Sequence, residues 1–264
     1  MDKTKQNTLN ICLGHVSFPE RALHHLDIMI GPRLLPEINR FALVPDKIFG
    51  PNGSSLSEYA QLIWIYHNLD RLLNGRNYVR IFHYRRFVSP VGVRCGTAST
   101  NQPWSTTITE QQLDFYHAAF ERHVLGMTFN SRVKFAGGVI AHYAHCHVLE
   151  DFLNFAAFLS REHILPPELI LNFLSEEIFI PACNIGVFDV KTFKRIFGVI
   201  TAASGFLQSP AFVAREGYQR RSCGFLLERL HSFLLLQSCI GDEQNIKFGN
   251  NIVLSDTSAV SITI

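Results

Sequence analysis

The sequence lacks an excess of charge of either sign. Its 264 residues include 24 lysines and arginines and 22 aspartates and glutamates, for a formal net charge of +2. A chain so evenly balanced is not a general polyanion binder, and we expect no nucleic-acid partner. Hydrophobic residues make up 47% of the chain and charged residues 17%, a composition that excludes intrinsic disorder.

Long apolar runs are also missing. Stretches such as Phe152–Leu159, which Asn154 interrupts, and Phe233–Leu236 are far shorter than the roughly 18 residues that span a bilayer. No apolar run lies near the N-terminus, so the sequence predicts no secretory signal and a cytoplasmic protein. The six cysteines include no Cys-x-x-Cys pair, and we expect reduced thiols instead of a disulfide framework.

Three common active-site signatures do not occur in the chain. There is no Gly-x-Ser-x-Gly, no P-loop and no Gly-x-Gly-x-x-Gly. The nucleophile elbow of hydrolases, the phosphate loop of NTPases and the dinucleotide fingerprint of Rossmann domains therefore have no support in this sequence.

Strand-like and helix-like patterns alternate along the chain. They predict strands at Asn10–Val16 and Tyr78–Phe82, and helices at Tyr59–Leu73, His142–Leu159 and Gly217–Gln237. Such alternation predicts an α/β protein with a mostly parallel central sheet flanked by helices.

Three parts of the chain differ in pattern. Residues 1–9 are polar, and we expect a flexible N-terminus there. Residues 10–237 contain all the predicted helices, and we expect them to form a single domain. Residues 238–264 carry little beyond β-like alternation, and we interpret them as a C-terminal extension.

A basic cluster follows the predicted strand Tyr78–Phe82. It consists of His83, Tyr84, Arg85 and Arg86. In open α/β sheets ligands bind outside the carboxyl ends of the strands, and the forked donors of arginine match phosphate oxygens. The cluster therefore favours an anionic ligand. The alternative is a structural ion pair with a carboxylate elsewhere in the fold.

The predicted helix His142–Leu159 carries a row of polar side chains. Tyr143, His147 and Asp151 are spaced four residues apart, which places them on one helical face. His142 and His145 share a face that His147 leaves, and no carboxylate or thiol with zinc-ligand spacing accompanies them. We therefore expect no metal site and interpret the histidines as hydrogen-bonding or stacking groups.

Two further segments combine polar and apolar residues. Asn184 and Asp189 enclose the apolar run Ile-Gly-Val-Phe, which fits either a ligand contact or a simple strand turn. Gly224 precedes Glu228 by one helical turn and allows close approach of a ligand. Arg229 points about 100° away from Glu228 around a helix, so we expect different partners for the two. A solvated helical ion pair is the alternative for Glu228.

These blocks, in this order, resemble a bacterial family of capsular-polysaccharide and exopolysaccharide glycosyltransferases. Family members carry Gly-Leu-x-His-Tyr-Arg-Arg and Gly-Phe-Leu-Ala-Glu-Arg-Leu, to which residues 81–86 and 224–230 are similar. Weaker matches are Ser57–Ala60, Ile63–Asn68, Tyr143, His147, Asp151 and Asn184–Val190. The resemblance extends from about residue 10 to about residue 237.

The resemblance implies a single GT-A-like domain and a glycosyltransferase. The donor would be a nucleotide-diphosphate sugar, by expectation UDP-linked, and the acceptor a polysaccharide or a lipid-linked oligosaccharide of the bacterial surface. With such an acceptor, the protein could associate peripherally with the cytoplasmic face of the inner membrane. The alternative is a non-catalytic subunit of the same fold that binds a nucleotide-sugar or a carbohydrate.

The resemblance also implies residue roles. Donor contacts are expected from His83, Tyr84, Arg85, Arg86 and Asn184, sugar or acceptor contacts from Tyr143, His147 and Asp189, and catalytic carboxylates from Glu228 and Asp151. Asp189 is a third carboxylate that could take the acceptor's proton. The chain has no Asp-x-Asp motif, and the two arginines of the basic cluster are expected to replace the divalent ion held there. We therefore expect a metal-independent enzyme without a cofactor.

Overall fold

The computed structural model describes residues 7–14, 26–32, 41–89, 97–98, 104–109, 112–113, 126–240 and 244–254. Its strands are β1 Thr8–Leu13, β2 Ile28–Gly31, β3 Phe41–Leu43, β4 Tyr78–His83, β5 Arg86–Ser89, β6 Thr97–Ala98, β7 Ser105–Ile108, β8 Met127–Asn130, β9 Val133–Lys134, β10 Ile178–Phe179, β11 Gly186–Asp189 and β12 Ile246–Leu254. Its α-helices are α1 Tyr59–Leu73, α2 Gly138–Cys146, α3 Leu149–Arg161, α4 Pro167–Ser175, α5 Val190–Ala203 and α6 Ser222–Cys239.

A ten-stranded mixed sheet forms the centre of the fold. Its order is β3-β2-β1-β4-β11-β8-β12-β7-β6, and β5 pairs with both β4 and β12. The block β3-β2-β1-β4 is parallel, and so are the pairs of β12 with β7 and β8. The expectation of a mostly parallel sheet holds for these parts. It is wrong elsewhere, because β11 runs antiparallel to β4 and β8, and β5 antiparallel to β4 and β12.

The sheet reaches beyond both predicted domain boundaries. β1 begins at Thr8, inside the segment expected to be flexible. β12 pairs with β5, β7 and β8, so residues 246–254 are a central strand of the sheet and not part of an extension. The β-like alternation of this segment indicates a strand, but only pairing with distant strands gives β12 its place in the sheet.

Helix α6 lies at the centre of the helical layer. None of its residues is exposed, and Phe225, Leu226, Leu230 and Phe233 belong to the main apolar cluster. α5 packs against both α1 and α6. α1 agrees with its predicted bounds, and Asn74 ends it in the left-handed conformation at φ 46°. Within the described part of the chain, no helix combines the length and apolar character needed to cross a membrane.

The helix expected over residues 142–159 is two helices. α2 ends at Cys146, His147 has extended backbone at φ −143° and ψ 179°, and α3 begins at Leu149. Neither glycine nor proline marks the break, so the local sequence gives no signal of it. The break allows the His147 ring to stack on Phe225 while α3 buries Phe152.

Candidate active site

Two adjoining cavities open at the carboxyl end of β4. The first cavity, of about 300 Å³, reaches the ends of β1 and β2 at Leu13, Gly14 and Pro32. The second cavity, of about 410 Å³, lies along α2 and the first turns of α6. The carboxyl ends of parallel strands are where open α/β sheets bind ligands. The junction, meaning the residues that line both cavities, consists of Ser57, Glu58, His83 and Arg221.

An ion pair crosses the junction. Arg221 Nη2 lies 2.9 Å from Glu58 Oε2, and Arg221 Nε donates to Ser57 Oγ at 2.9 Å. The Ser57 hydroxyl in turn donates to Glu58 Oε2. Burial raises the pKa of Glu58, but the charges of His83 and Arg221 and the hydrogen bond from Ser57 outweigh burial and lower that pKa to about 2. Glu58 is therefore an anion at neutral pH that positions a guanidinium and is poorly suited to accept a proton.

Two lining residues have unusual backbone conformations. Ser57 has φ 53° and Ala182 has φ 48°, in the left-handed region that non-glycine residues rarely enter. Such strain is kept where the surrounding structure enforces it, which is often at functional sites. At Ser57 the close packing of helix α6 against the turn explains part of this strain. A Cβ on Gly224 would lie 2.9 Å from the Leu56 carbonyl oxygen, so Gly224 allows the close approach of α6 to this turn. Gly224 also lines the second cavity, and its predicted role in the approach of a ligand stays a prediction.

The predicted basic cluster is a β-hairpin, and the hairpin separates its two arginines. His83 pairs with Arg86, so Tyr84 and Arg85 form the turn between β4 and β5. Tyr84 lines the first cavity, and Arg86 lines the second. Arg85 is exposed, lines neither cavity and lies over the Tyr84 ring, 5.4 Å from its centroid. Arg86 has no ion-pair partner among the described residues.

His83 and Asn184, two of the predicted donor-binding residues, lie together at the second cavity. Asn184 Nδ2 is 3.4 Å from His83 Nε2, and both side chains are buried. β4 carries the histidine, and the turn before β11 carries the asparagine. Their roles in binding a donor remain predictions.

Glu228 and Arg229 share one ion pair. Arg229 Nη1 donates to Glu228 Oε2 at 2.8 Å, so the expectation of different partners is wrong. The long arginine side chain bends back toward its neighbour and lies against the rings of Tyr143 and Phe179, 5.6 Å and 4.9 Å from their centroids. Arg229 is 5% exposed, whereas Glu228 is only half-buried, and both line the second cavity.

The row Tyr143, His147 and Asp151 does not form one face. Only His147 lines the second cavity. Tyr143 is fully buried, and its hydroxyl has no hydrogen-bond partner among the residues that the structure describes. Asp151 lies on α3, where Arg215 holds both of its oxygens at 2.8 Å and 3.3 Å, so it is a structural anion outside both cavities. The break between α2 and α3 is the cause of this separation.

Asp189 also lies away from the cavities. It pairs with Tyr78, the first residue of β4, which is the strand end opposite His83. Its Oδ1 accepts a hydrogen bond from Thr192 N at 2.8 Å and caps α5. This carboxylate therefore stabilises a helix N-terminus.

Several lining residues were not among the predicted site residues. Arg221 belongs to the basic pair Arg220-Arg221, for which the sequence predicted no role. Ser57 and Glu58 belong to one of the weaker matches to the family, again without an assigned role. His142 also lines the second cavity. Burial, followed by the charge of Arg229, lowers the pKa of His142 to about 4, so this imidazole is neutral at pH 7. In the described part of the chain no three His, Cys, Asp or Glu side chains are grouped as metal ligands.

The architecture is a glycosyltransferase-like α/β fold. Among solved structures, 98% of the chain superimposes on the apo structure of the bifunctional glycosyltransferase WbbM, with a TM-score of 0.66 and 13% sequence identity. The chain spans 48% of the length of that structure. No family model and no curated protein matches the sequence. At this identity the likeness establishes the fold alone.

Proposed function

We propose that the protein is a glycosyltransferase that moves a sugar from a nucleotide-diphosphate donor to a glycan or lipid-linked acceptor of the bacterial surface. This proposal rests on one observation, the two cavities that meet at the charged junction. A transferase has to hold two substrates side by side, and the first cavity has the position at the ends of β1 and β2 that suits a nucleotide. The WbbM likeness supports the same class of reaction.

The junction residues suit the charge changes of sugar transfer. The acceptor oxygen forms a bond to the anomeric carbon while the bond from that carbon to the diphosphate breaks. The leaving diphosphate gains negative charge, and fixed cations next to it lower the barrier. Arg221 lies at the junction, and Arg86 adjoins it through its pairing with His83. The acceptor hydroxyl loses a proton in the same step, and we assign its capture to the Glu228 carboxylate in the second cavity.

A nucleotide-release assay with a panel of sugar nucleotides tests this function. We expect slow release of nucleoside diphosphate from one donor without acceptor, and faster release with acceptor. One observation favours the alternative of a non-catalytic binding subunit. Both carboxylates among the described lining residues, Glu58 and Glu228, are already paired with arginines. Donor binding with no release under any condition would establish that alternative.

Arg86→Ala is expected to weaken UDP binding by about 1.5–3 kcal/mol, because it removes a charge-assisted hydrogen bond to the diphosphate. Arg85→Ala is the matched control. It removes the neighbouring exposed guanidinium, which lines neither cavity, and we expect a much smaller change. Calorimetric titration of UDP into each folded variant measures both affinities. An unchanged affinity in Arg86→Ala would exclude this arginine as the diphosphate ligand.

Chelation is expected to leave nucleotide binding and turnover largely intact. The chain has no Asp-x-Asp motif, and we propose that arginines neutralise the diphosphate in place of a divalent ion. The measurement is nucleotide release before and after dialysis against EDTA, with manganese or magnesium added back to a third sample. Activity that disappears with EDTA and returns with manganese would show that a metal has the role assigned to the arginines.

A further inference from the structure

Three aromatic rings form one wall of the second cavity. The rings of His147 and Phe225 stack with their centroids 4.1 Å apart and their planes 23° apart. The Tyr218 ring lies 5.1 Å from Phe225 and is nearly parallel to His147, at 15°. We call these three residues, which all line the cavity, the aromatic wall.

Tyr218 is the outer member of the aromatic wall. It lies in the short helical turn Gly217–Arg221 and is 67% exposed. Exposed aromatic surface is poorly solvated, and a ligand that covers it gains free energy in proportion to the apolar area removed from water. The wall therefore offers an apolar face to a molecule that enters the second cavity.

Polar contacts hold the wall in place and fix the protonation of His147. Gln219 Nε2 donates to the Cys146 carbonyl oxygen at 3.0 Å, which turns Gln219 Oε1 toward His147 Nδ1 at 3.2 Å. His147 Nδ1 is then the donor, and Nε2 is left as an acceptor. Burial, followed by the charge of Arg229, lowers the pKa of His147 to about 4, so the ring is neutral at pH 7.

Groups that bind hydroxyls share the cavity with the wall. Asn184 and Asn251 contribute amides, and Glu228 contributes a carboxylate. A pyranose ring has one face of C–H groups and a rim of hydroxyls, so it matches an aromatic surface bordered by amides and carboxylates. A lipid chain would leave these polar groups without partners, at a cost in free energy.

We propose that the aromatic wall is the platform on which the terminal sugar of the acceptor stacks, with its hydroxyls directed to Glu228. This inference rests on the proposed function, because it takes the second cavity as the acceptor side. It adds that the acceptor is recognised by its carbohydrate ring, and that Tyr218 determines the strength of that recognition.

The test uses three variants of the full chain. Tyr218→Ala removes the outer ring, whereas Tyr218→Phe keeps the ring and removes only the hydroxyl. Leu171→Ala is the matched control, because Leu171 is also 67% exposed and lines neither cavity. All three changes are at exposed positions, where substitutions have small effects on stability. Circular dichroism and thermal unfolding check the fold of each variant.

Saturation-transfer difference NMR measures binding of methyl glycosides of glucose, galactose, mannose, rhamnose and N-acetylglucosamine, each in the presence of UDP. We expect transfer to the ring C–H protons of at least one glycoside. Its affinity should fall roughly tenfold in Tyr218→Ala, the upper range of an aromatic contact, and stay near wild type in Tyr218→Phe and Leu171→Ala.

The outcomes separate this inference from the proposed function. No transfer to any glycoside, or equal affinity in wild type and Tyr218→Ala, would overturn the platform, even if UDP binds normally. Glycoside binding that depends on Tyr218 would support the platform. If UDP fails to bind in that same experiment, the UDP-linked donor is contradicted while the platform stands.

Discussion

Glu228→Gln is expected to lower the rate of sugar transfer by about 10²- to 10⁴-fold and to leave nucleotide affinity unchanged. A positioned general base contributes an acceleration of this size, and an amide cannot take the proton of the acceptor hydroxyl. The glutamine keeps a side-chain oxygen that can accept the hydrogen bond from Arg229, so the buried guanidinium retains a partner. Turnover of the matching donor and acceptor, together with calorimetric titration of UDP, measures the two effects separately.

Asp189→Asn is the matched control for this variant. It also converts a carboxylate to an amide, but at the opposite end of β4 from the cavities. Asparagine caps a helix about as well as aspartate, so this variant should fold and turn over like the wild type. Near-normal turnover in Glu228→Gln would reduce Glu228 to a partner of Arg229, and the base would have to be sought elsewhere.

Gly249→Ala is expected to destabilise the protein by about 3 kcal/mol or more, enough to unfold many domains. Gly249 lies in β12, and a Cβ there would lie 1.6 Å from the Ser89 carbonyl oxygen. The contact is between backbones, so no side-chain rotation can relieve it, and β12 would have to move away from β5. The midpoint of urea unfolding, followed by circular dichroism, measures the loss of stability.

Gly205→Ala is the corresponding control. Its added Cβ would meet Phe158 at 3.6 Å, an ordinary van der Waals distance. We expect a change within about 1 kcal/mol, because the added methyl makes only this ordinary contact and alanine restricts the unfolded chain. Equal unfolding midpoints for the two variants would contradict the close approach of β12 to β5.

Local pattern was sufficient to predict the elements that support the site. α1 and β4 follow from their apolar periods, and His83 lies at the end of β4 because the strand pattern ends there. The pattern also placed Glu228 on a helix, whereas its position at a cavity depends on lining residues from distant parts of the chain. For α1 and β4 the deciding interactions join residues that are near in sequence.

Long-range packing determines the features of the site that local sequence patterns did not predict. The break at His147 has no local signal, and it depends on Phe225 of a distant helix. Arg85 and Arg86 were expected to act together, but pairing of β5 with β12 fixes a tight hairpin that separates them. Arg221 reaches Glu58 across 163 positions of sequence, a partnership that only the folded chain defines.

The central place of β12 has a consequence for how the chain folds. Asn251 donates to Ser105 across 146 positions, so the pairs that complete the sheet close very large loops. Pairings of this range slow folding. Until β12 inserts, β5, β7 and β8 expose unpaired backbone groups that attract strands from other molecules. Refolding is therefore a competition between insertion of β12 and association with a second chain, and the protein concentration decides which is faster.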